Sequence, residues 1–170
     1  CISSAASDVY KRQEPTRLTV MALIWGGSAG VIFSFLVEMA IPASEFVTMA
    51  IVAPLAEELA KASVFILVAT GARKLELTSL TDHIFYAGIC ALGFAFVENL
   101  GYFALSSSAG EFVVMALVRT GFGVFGHPLY TTATAVGMWA WRNKGGFWKV
   151  ILGYVVACLL HGLCLLYTSD

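Results

Sequence analysis

The chain has 170 residues, of which 59% are hydrophobic and only 12% are charged, whereas a soluble domain usually carries about 25% charged residues. Together with a mean hydropathy of +0.83, this composition excludes an ordinary soluble domain and indicates a protein embedded in the lipid bilayer. The formal net charge is −1, so no basic surface points to a nucleic-acid partner.

Both ends of the chain carry peptides that match one DNA adapter. SSAASDVYKRQ near the start and CLLYTSD at the end are translations of opposite strands of a transposase adapter used in sequencing-library preparation. We therefore interpret residues 1–13 and 164–170 as adapter translation and expect a single transmembrane domain over residues 14–163. A genuine polar N-terminal tail is the alternative. Cys90 and Cys158 lie in apolar runs and are expected to be small core residues.

Five apolar segments follow one another along the chain, separated by short polar breaks. A membrane-spanning helix needs about 20 predominantly apolar residues. The segments cover residues 18–41, 46–70, 81–105, 111–141 and 147–163. This pattern predicts an all-α fold, a polytopic transmembrane helix bundle with about five spanning segments.

The fourth segment is too long for one straight span. As a continuous helix, residues 111–141 would extend about 46 Å, against a hydrocarbon core of about 30 Å. Three glycines and a proline interrupt the segment: Gly121, Gly123, Gly126 and Pro128. It therefore forms either two short spans or one broken helix.

Basic residues help to decide between these two arrangements. The loops before the third segment and after the fourth are marked as cytoplasmic by basic side chains: Arg73, Lys74, Arg142, Lys144 and Lys149. The chain must cross an even number of times between two cytoplasmic loops, and the third segment crosses once. We therefore predict a broken fourth helix, with a short arm over residues 111–124 and a main helix from about residue 127. Two full spans remain the alternative.

Ionisable side chains lie inside these segments, where each costs about 2.5–3.5 kcal/mol on insertion scales and indicates a functional site. They are Glu57, Glu58, Lys61, Glu98, Arg119, His127 and His161. Measured by helical rise from the basic loops, they share a level between the middle and the outer leaflet of the bilayer. Ion pairs with a purely structural role would not be expected to share one depth.

Glu57, Glu58 and Lys61 lie within about one turn of the second segment. At about 100° per residue, Lys61 falls about 40° from Glu57 and about 60° from Glu58. Lys61 can thus pair with one carboxylate and leave the other available for chemistry. A structural ion pair that holds two helices together is the alternative.

A second group of polar residues lies near the end of the third segment. Tyr102 is one turn from Glu98 on the same face, so its phenol could orient the Glu98 carboxylate. The Asn99 amide could donate to an oxyanion or to a peptide backbone. Alternatively, Asn99 and Tyr102 satisfy each other.

These residues resemble the motifs of the PrsW family of intramembrane proteases. The sequence EELAK at residues 57–61 resembles the EExxK motif, and FAFVENLGY at residues 94–102 resembles the FxxxEN motif with its following tyrosine. The wider group includes the CAAX prenyl endopeptidases and bacteriocin-immunity-type membrane proteins. The asparagine after Glu98 favours the PrsW branch.

Three further positions extend the resemblance over nearly all of residues 14–163. Asp82 resembles the acidic residue that opens the third helix of the family. Arg119 and His127 match the family's arginine–histidine spacing. His161 resembles the start of the final histidine motif, whose continuation the adapter replaces.

The resemblance implies peptide-bond hydrolysis within or beside the membrane. The expected enzyme is an intramembrane protease that cleaves a membrane-anchored protein near the extracytoplasmic side, as in site-1 cleavage of anti-sigma factors. Its expected partners are a single-pass membrane protein substrate and the lipid bilayer. Its expected location is the cytoplasmic membrane of a prokaryote.

Amide hydrolysis requires an activated water, an oxyanion stabiliser and a proton for the leaving amine. We expect the water to be activated by Glu58 or Glu57 together with His127, and the oxyanion to be stabilised by Asn99 and His161. The expected catalytic set is Glu57, Glu58, Glu98, His127 and His161. The expected supporting set is Lys61, Asn99, Tyr102, Arg119 and Asp82.

The same side chains also allow a metal-dependent mechanism. Glu58 or Glu57, Glu98, His127 and His161 could hold a zinc ion with an open position for water. The sequence has no HExxH motif and no pair of histidines one turn apart. Metal-free catalysis by glutamate and histidine is therefore slightly preferred, and the cofactor stays open with zinc as the candidate.

Two other functional classes use the same kinds of residue. Buried acids and bases could form a proton or ion relay in a transporter, although the sequence shows no inverted repeat of the kind that would favour this. A catalytically inactive relative could serve as a membrane scaffold or immunity protein.

Overall fold

A computed structural model describes residues 16–71 and 77–168 of the chain. In these residues the chain forms helices and no strand, which confirms the predicted all-α bundle. The helices are α1, Thr16–Ala40; α2, residues 45–62; α3, Val64–Gly71; α4, Leu80–Ala104; α5, Ala109–Lys144; and α6, Trp148–Thr168.

Four of the helices, α1, α4, α5 and α6, are long and apolar enough to cross a membrane. They correspond to the first, third, fourth and fifth predicted segments. The second segment is divided into α2 and α3 at Ser63. Most of this segment is apolar, but α2 also carries the ionisable residues Glu57, Glu58 and Lys61. The predicted cytoplasmic markers Arg73 and Lys74 lie outside the described residues.

The predicted interruption of the fourth segment takes the form of a π-helical turn. Helix α5 is continuous, but Arg119–Gly123 has π-helical hydrogen bonding and Pro128 lies inside the helix that follows. A π turn keeps the backbone groups hydrogen bonded, whereas an unwound break in contact with lipid would leave them without partners. The short arm and the main helix of the prediction are thus joined.

The second half of α2, Ala53–Ala62, is enclosed by the rest of the bundle. It contacts α1, α4, α5 and α6, while α4 also packs on α1 and α5, and α5 packs on α6. The enclosed half contains Glu57, Glu58 and Lys61, which are all buried. This packing explains how three ionisable side chains can sit at membrane depth without facing lipid.

Glycines allow the helices to cross at short distances. A Cβ atom added at Gly93 of α4 would collide with the Leu23 carbonyl oxygen of α1, and one added at Gly26 would collide with a carbonyl oxygen of α4. The α5–α6 contact has the same feature at Gly137 and Gly153. Small residues at such crossings are typical of membrane bundles, in which van der Waals packing holds helices together.

The predicted core cysteines are buried. The Cys90 sulfur lies 3.7 Å from the Lys61 carbonyl oxygen, and the Cys158 sulfur lies 3.5 Å from the Pro54 carbonyl oxygen. Each thiol therefore donates to the backbone of α2 from a neighbouring helix. Both residues act as small packing residues, as the sequence predicted.

The loop between α5 and α6 lies at the opposite end of the bundle from the N-terminus of α5. It turns at Gly145 and Gly146, whose φ angles of 64° and 81° favour glycine. Lys149 closes the loop by donating to the Gly145 carbonyl oxygen at 2.7 Å. With Arg142 and Lys144, this loop keeps its basic residues together at the end of the bundle that the sequence predicts to be cytoplasmic.

Replacing Gly93 with alanine is expected to lower the free energy of unfolding by about 1–3 kcal/mol, because the added methyl group forces α4 away from α1. Thermal or SDS-induced unfolding in detergent micelles would measure the loss. Gly88→Ala on the same helix is the matched control, since an added Cβ there meets nothing within 4 Å. Equal stability of the two variants would contradict the close crossing.

Candidate active site

Lys61 lies at the centre of a buried polar cluster. Its Nζ atom is 3.2 Å from Glu57 Oε2 and 2.9 Å from Glu58 Oε1, and it is also 2.9 Å from His127 Nδ1 of α5. The Lys61 side chain is 0% exposed. An ammonium has three hydrogens to donate, and these contacts account for all three. The sequence predicted that one carboxylate would stay available, but Lys61 contacts both.

Glu58 is hydrogen bonded on both carboxylate oxygens. Oε1 accepts from Lys61 and lies 3.0 Å from His161 Nδ1, and Oε2 accepts from Thr131 Oγ1 at 2.8 Å. The three partners come from α2, α6 and α5. Glu58 therefore joins three helices, and its oxygens are committed to fixed partners.

Glu98 forms a second centre, between α4 and α5. Its Oε2 atom lies 2.9 Å from Arg119 Nη2 and 3.0 Å from His127 Nε2. Arg119 Nε donates to Asn99 Oδ1 at 2.8 Å, and its guanidinium lies 3.6 Å from the centre of the Tyr102 ring. Tyr102 and Asn99 thus hold Arg119, rather than satisfying each other, and Arg119 occupies the position beside Glu98.

His127 connects the two centres. Because Lys61 can only donate, His127 Nδ1 must accept, so the ring proton is on Nε2, which lies 3.0 Å from Glu98 Oε2. The His127 and His161 rings are 4.9 Å apart and perpendicular, and Tyr130 stacks on His161 with centroids 5.2 Å apart. The aromatic contacts fix both imidazoles.

Glu57, His127 and His161 form a buried group that could hold a metal ion. Each offers one ligand atom, and these atoms lie within 4.8 Å of one another. His161 Nδ1 faces a carboxylate and so carries the proton, which leaves a lone pair on Nε2. That Nε2 is buried and finds no hydrogen-bond partner among the described residues. It lies 3.6 Å from Glu57 Oε2, so two electron-pair donors face each other.

This donor set fits zinc. Two histidines and one carboxylate are a known set of ligands for catalytic zinc, with a fourth position open to water. Metal-binding histidines usually donate their other N–H to a carboxylate, and His161 has this arrangement with Glu58. The sequence had offered Glu58 or Glu57, together with Glu98, as the carboxylate ligands, and in the structure Glu57 is the carboxylate grouped with the two histidines.

Asp82 does not join the cluster, although the sequence predicted it as a supporting residue. Ser79 and Asp82 form a capping box at the start of α4, in which Asp82 also accepts from Thr78. Along the helix, Asp82 is about 24 Å from Glu98. Its carboxylate satisfies free backbone N–H groups at the helix start, which explains an acidic residue there without a role in the cluster.

Three residues near the cluster were not predicted as site residues. Thr131 and Tyr130 follow His127 by four and three residues, so helical spacing brings them to the same face. Glu38 of α1 is half-buried and interacts electrostatically with Glu57 and Glu98. Its position inside an apolar span was the signal that could have identified it.

A cavity of about 480 Å³ opens onto the cluster. Val114, Met115 and Val118 of α5 line one wall, and Arg119 and His127 reach it with polar groups. Helix α6 contributes His161, together with Cys164 and Leu165, which belong to the stretch interpreted as adapter translation. The cavity lies away from the basic α5–α6 loop and is mostly apolar, and its ionisable lining side chains include Glu111, Arg119, His127 and His161.

Comparisons with known proteins give one match. A family model described as PrsW family intramembrane metalloprotease matches residues 14–164. No curated protein and no solved structure matches the chain.

Replacing Thr131 with valine is expected to lower the free energy of unfolding by about 1–3 kcal/mol, because Glu58 Oε2 loses its buried donor. Thermal unfolding in detergent micelles is the measurement. Thr132→Val is the matched control, since the Thr132 hydroxyl donates to the Pro128 carbonyl within its own helix. The assignment would be wrong if both variants lost the same stability.

Proposed function

Since the chain belongs to the PrsW family of intramembrane metalloproteases, we propose that it hydrolyses a peptide bond of a membrane-embedded protein at the cluster around His127. The observation that carries the proposal is the buried group of Glu57, His127 and His161 beside a cavity. Family membership favours this function over a transporter or an inactive scaffold.

We propose the metal-dependent form of the reaction, with zinc as the metal. Glu57, His127 and His161 would hold the ion, and the unpartnered His161 Nε2 supports this assignment. A zinc ion held there would supply Lewis-acid chemistry for the substrate carbonyl and for a water molecule at neutral pH. The family description as a metalloprotease also supports this form over metal-free catalysis.

Glu98 is the proposed general base. Its side chain is 14% exposed, whereas Glu58 is fully buried with both oxygens hydrogen bonded. The Glu98 carboxylate would accept the proton of the attacking water and later deliver it to the leaving amine. Glu98 does not itself line the cavity, but it lies beside Arg119 and His127, which both do.

Arg119 is proposed to stabilise the negative charge that develops on the carbonyl oxygen. It lines the cavity, and Asn99 and Tyr102 fix its orientation. Asn99 would thus act by holding Arg119, since its Oδ1 accepts from Arg119 Nε. Glu58 and Thr131 would orient His161 in the same supporting way.

The substrate is proposed to be a single-pass membrane protein, cleaved near the extracytoplasmic side as in anti-sigma-factor processing. Lys149 marks the cytoplasmic end of α6, and His161 lies about 18 Å further along that helix. On this topology the cavity would open in the outer part of the bundle, and the proposed location of the protein is the cytoplasmic membrane of a prokaryotic cell. Its apolar walls suit a substrate segment that arrives from the bilayer.

Glu98→Gln and His127→Ala are expected to reduce cleavage of a single-pass substrate by about 10²–10⁴-fold, because each removes a group that handles a proton or holds the ion. The assay uses purified protein in lipid vesicles, with folding checked by thermal unfolding. Glu45→Gln, at an exposed position on α2, is the matched control and should keep full activity. Undiminished cleavage by folded Glu98→Gln would exclude Glu98 as the base.

Removing metal is expected to abolish cleavage. Treatment with 1,10-phenanthroline should stop the reaction, and added zinc should restore it, with about one zinc ion bound per chain. Metal content would be measured by mass spectrometry on the same samples. Full activity in protein shown to contain no metal would instead support catalysis by glutamate and histidine alone.

A further inference from the structure

The Lys61 ammonium lies between two of the proposed metal ligands. Nζ is 3.2 Å from Glu57 Oε2 and 2.9 Å from His127 Nδ1, while the two ligand atoms are 3.9 Å apart. The Lys61 ammonium thus contacts Glu57 Oε2 and His127 Nδ1, which are the atoms that would coordinate a metal ion. In the structure, Lys61 therefore occupies part of the proposed metal position.

The orientation of both histidines shows which of their atoms are available to an ion. A glutamate from another helix lies beside one nitrogen of each ring: Glu58 Oε1 is 3.0 Å from His161 Nδ1, and Glu98 Oε2 is 3.0 Å from His127 Nε2. The remaining nitrogens are His161 Nε2 and His127 Nδ1. They lie 3.6 Å and 3.9 Å from Glu57 Oε2, close to the separation of about 3.3 Å between ligands of a tetrahedral zinc.

We propose that Lys61 is an internal place-holder for the metal ion. In the metal-free protein its ammonium balances Glu57 and holds His127 Nδ1 in place, and metal binding displaces it from both. The inference rests on the metal centre of the proposed function and concerns the Lys61 side chain alone. Lys61 is thus a positioning residue that competes with the metal for two of its ligands.

The displaced ammonium has partners within reach. Its Nζ atom already lies 2.9 Å from Glu58 Oε1, and it is 4.3 Å from the centre of the Phe94 ring, which can bind a cation through its face. The four-carbon lysine stem is flexible. A small movement of the side chain toward Glu58 and Phe94 would leave Glu57 and His127 free while the positive charge remains compensated.

A fixed structural ion pair predicts the opposite behaviour. If Lys61 only supported Glu57 and His127, its removal would disorder them and weaken metal binding. If Lys61 competes with the metal, its removal strengthens metal binding, since no ammonium must be displaced and the ligands carry one more uncompensated negative charge. The direction of the change in zinc affinity therefore separates the two roles.

The test compares the zinc affinity of wild type and Lys61→Met in detergent micelles, by competition with a chromophoric chelator. We expect the variant to bind zinc at least about tenfold more tightly, because charge-assisted hydrogen bonds no longer oppose the ion. Its melting temperature without zinc should fall below that of wild type, and zinc should restore it. Lys144→Met, at an exposed lysine, is the matched control and should match wild type.

Unchanged or weaker zinc binding by folded Lys61→Met would overturn the place-holder role while leaving the metal centre intact. If that variant does not fold, Lys61→Gln, which keeps hydrogen-bond donors but no charge, is judged by the same criterion. Absence of zinc binding in wild type and variant would overturn both the place-holder and the metal centre. Cleavage of a substrate by wild type would then decide separately whether the protein is a protease.

Discussion

The burial of Lys61 is the constraint on which the rest of the structure depends. An ammonium that is 0% exposed among apolar helices is tolerated only with partners at hydrogen-bond distance, and breaking a buried pair costs about 3–5 kcal/mol. Two partners, Glu57 and Glu58, come from its own helix, and the third, His127, comes from α5. Because lipid is as apolar as the helix surfaces, these polar contacts select which faces of α2 and α5 meet.

Close helix crossings make this polar cluster possible. The glycine contacts bring α1 onto α4 and α5 onto α6, so the second half of α2 is covered on several sides. Arg119 and Glu98 then link α4 to α5 through the π-helical turn Arg119–Gly123. Such turns are frequent at functional sites, and here the turn begins at the cation itself. The π-helical turn of α5 therefore begins at the residue that forms the ion pair with Glu98.

Much of the bundle and the membership of the cluster could be predicted from the sequence. Apolar length identifies the spans, and a charge inside a span must find a partner, so Glu98 and His127 could be expected to meet. Side-chain partners could not be predicted, because helical spacing gives the angle between Glu57 and Lys61 but not the rotation of α2 against α5. The position of Asp82 outside the cluster could not be predicted either, because its place in the capping box depends on the start of α4, which the motif does not reveal.

The adjacent glutamates of α2 have different surroundings because they point about 100° apart. Glu58 faces Thr131 and His161, and its two carboxylate oxygens are hydrogen bonded to these residues and to Lys61. Glu57 faces the two histidines, and its contact with Lys61 is the one that a metal ion would replace. In the proposed centre, one glutamate therefore orients a ligand while its neighbour is itself a ligand. One turn of helix can supply both roles because the angle between the side chains directs them at different neighbours.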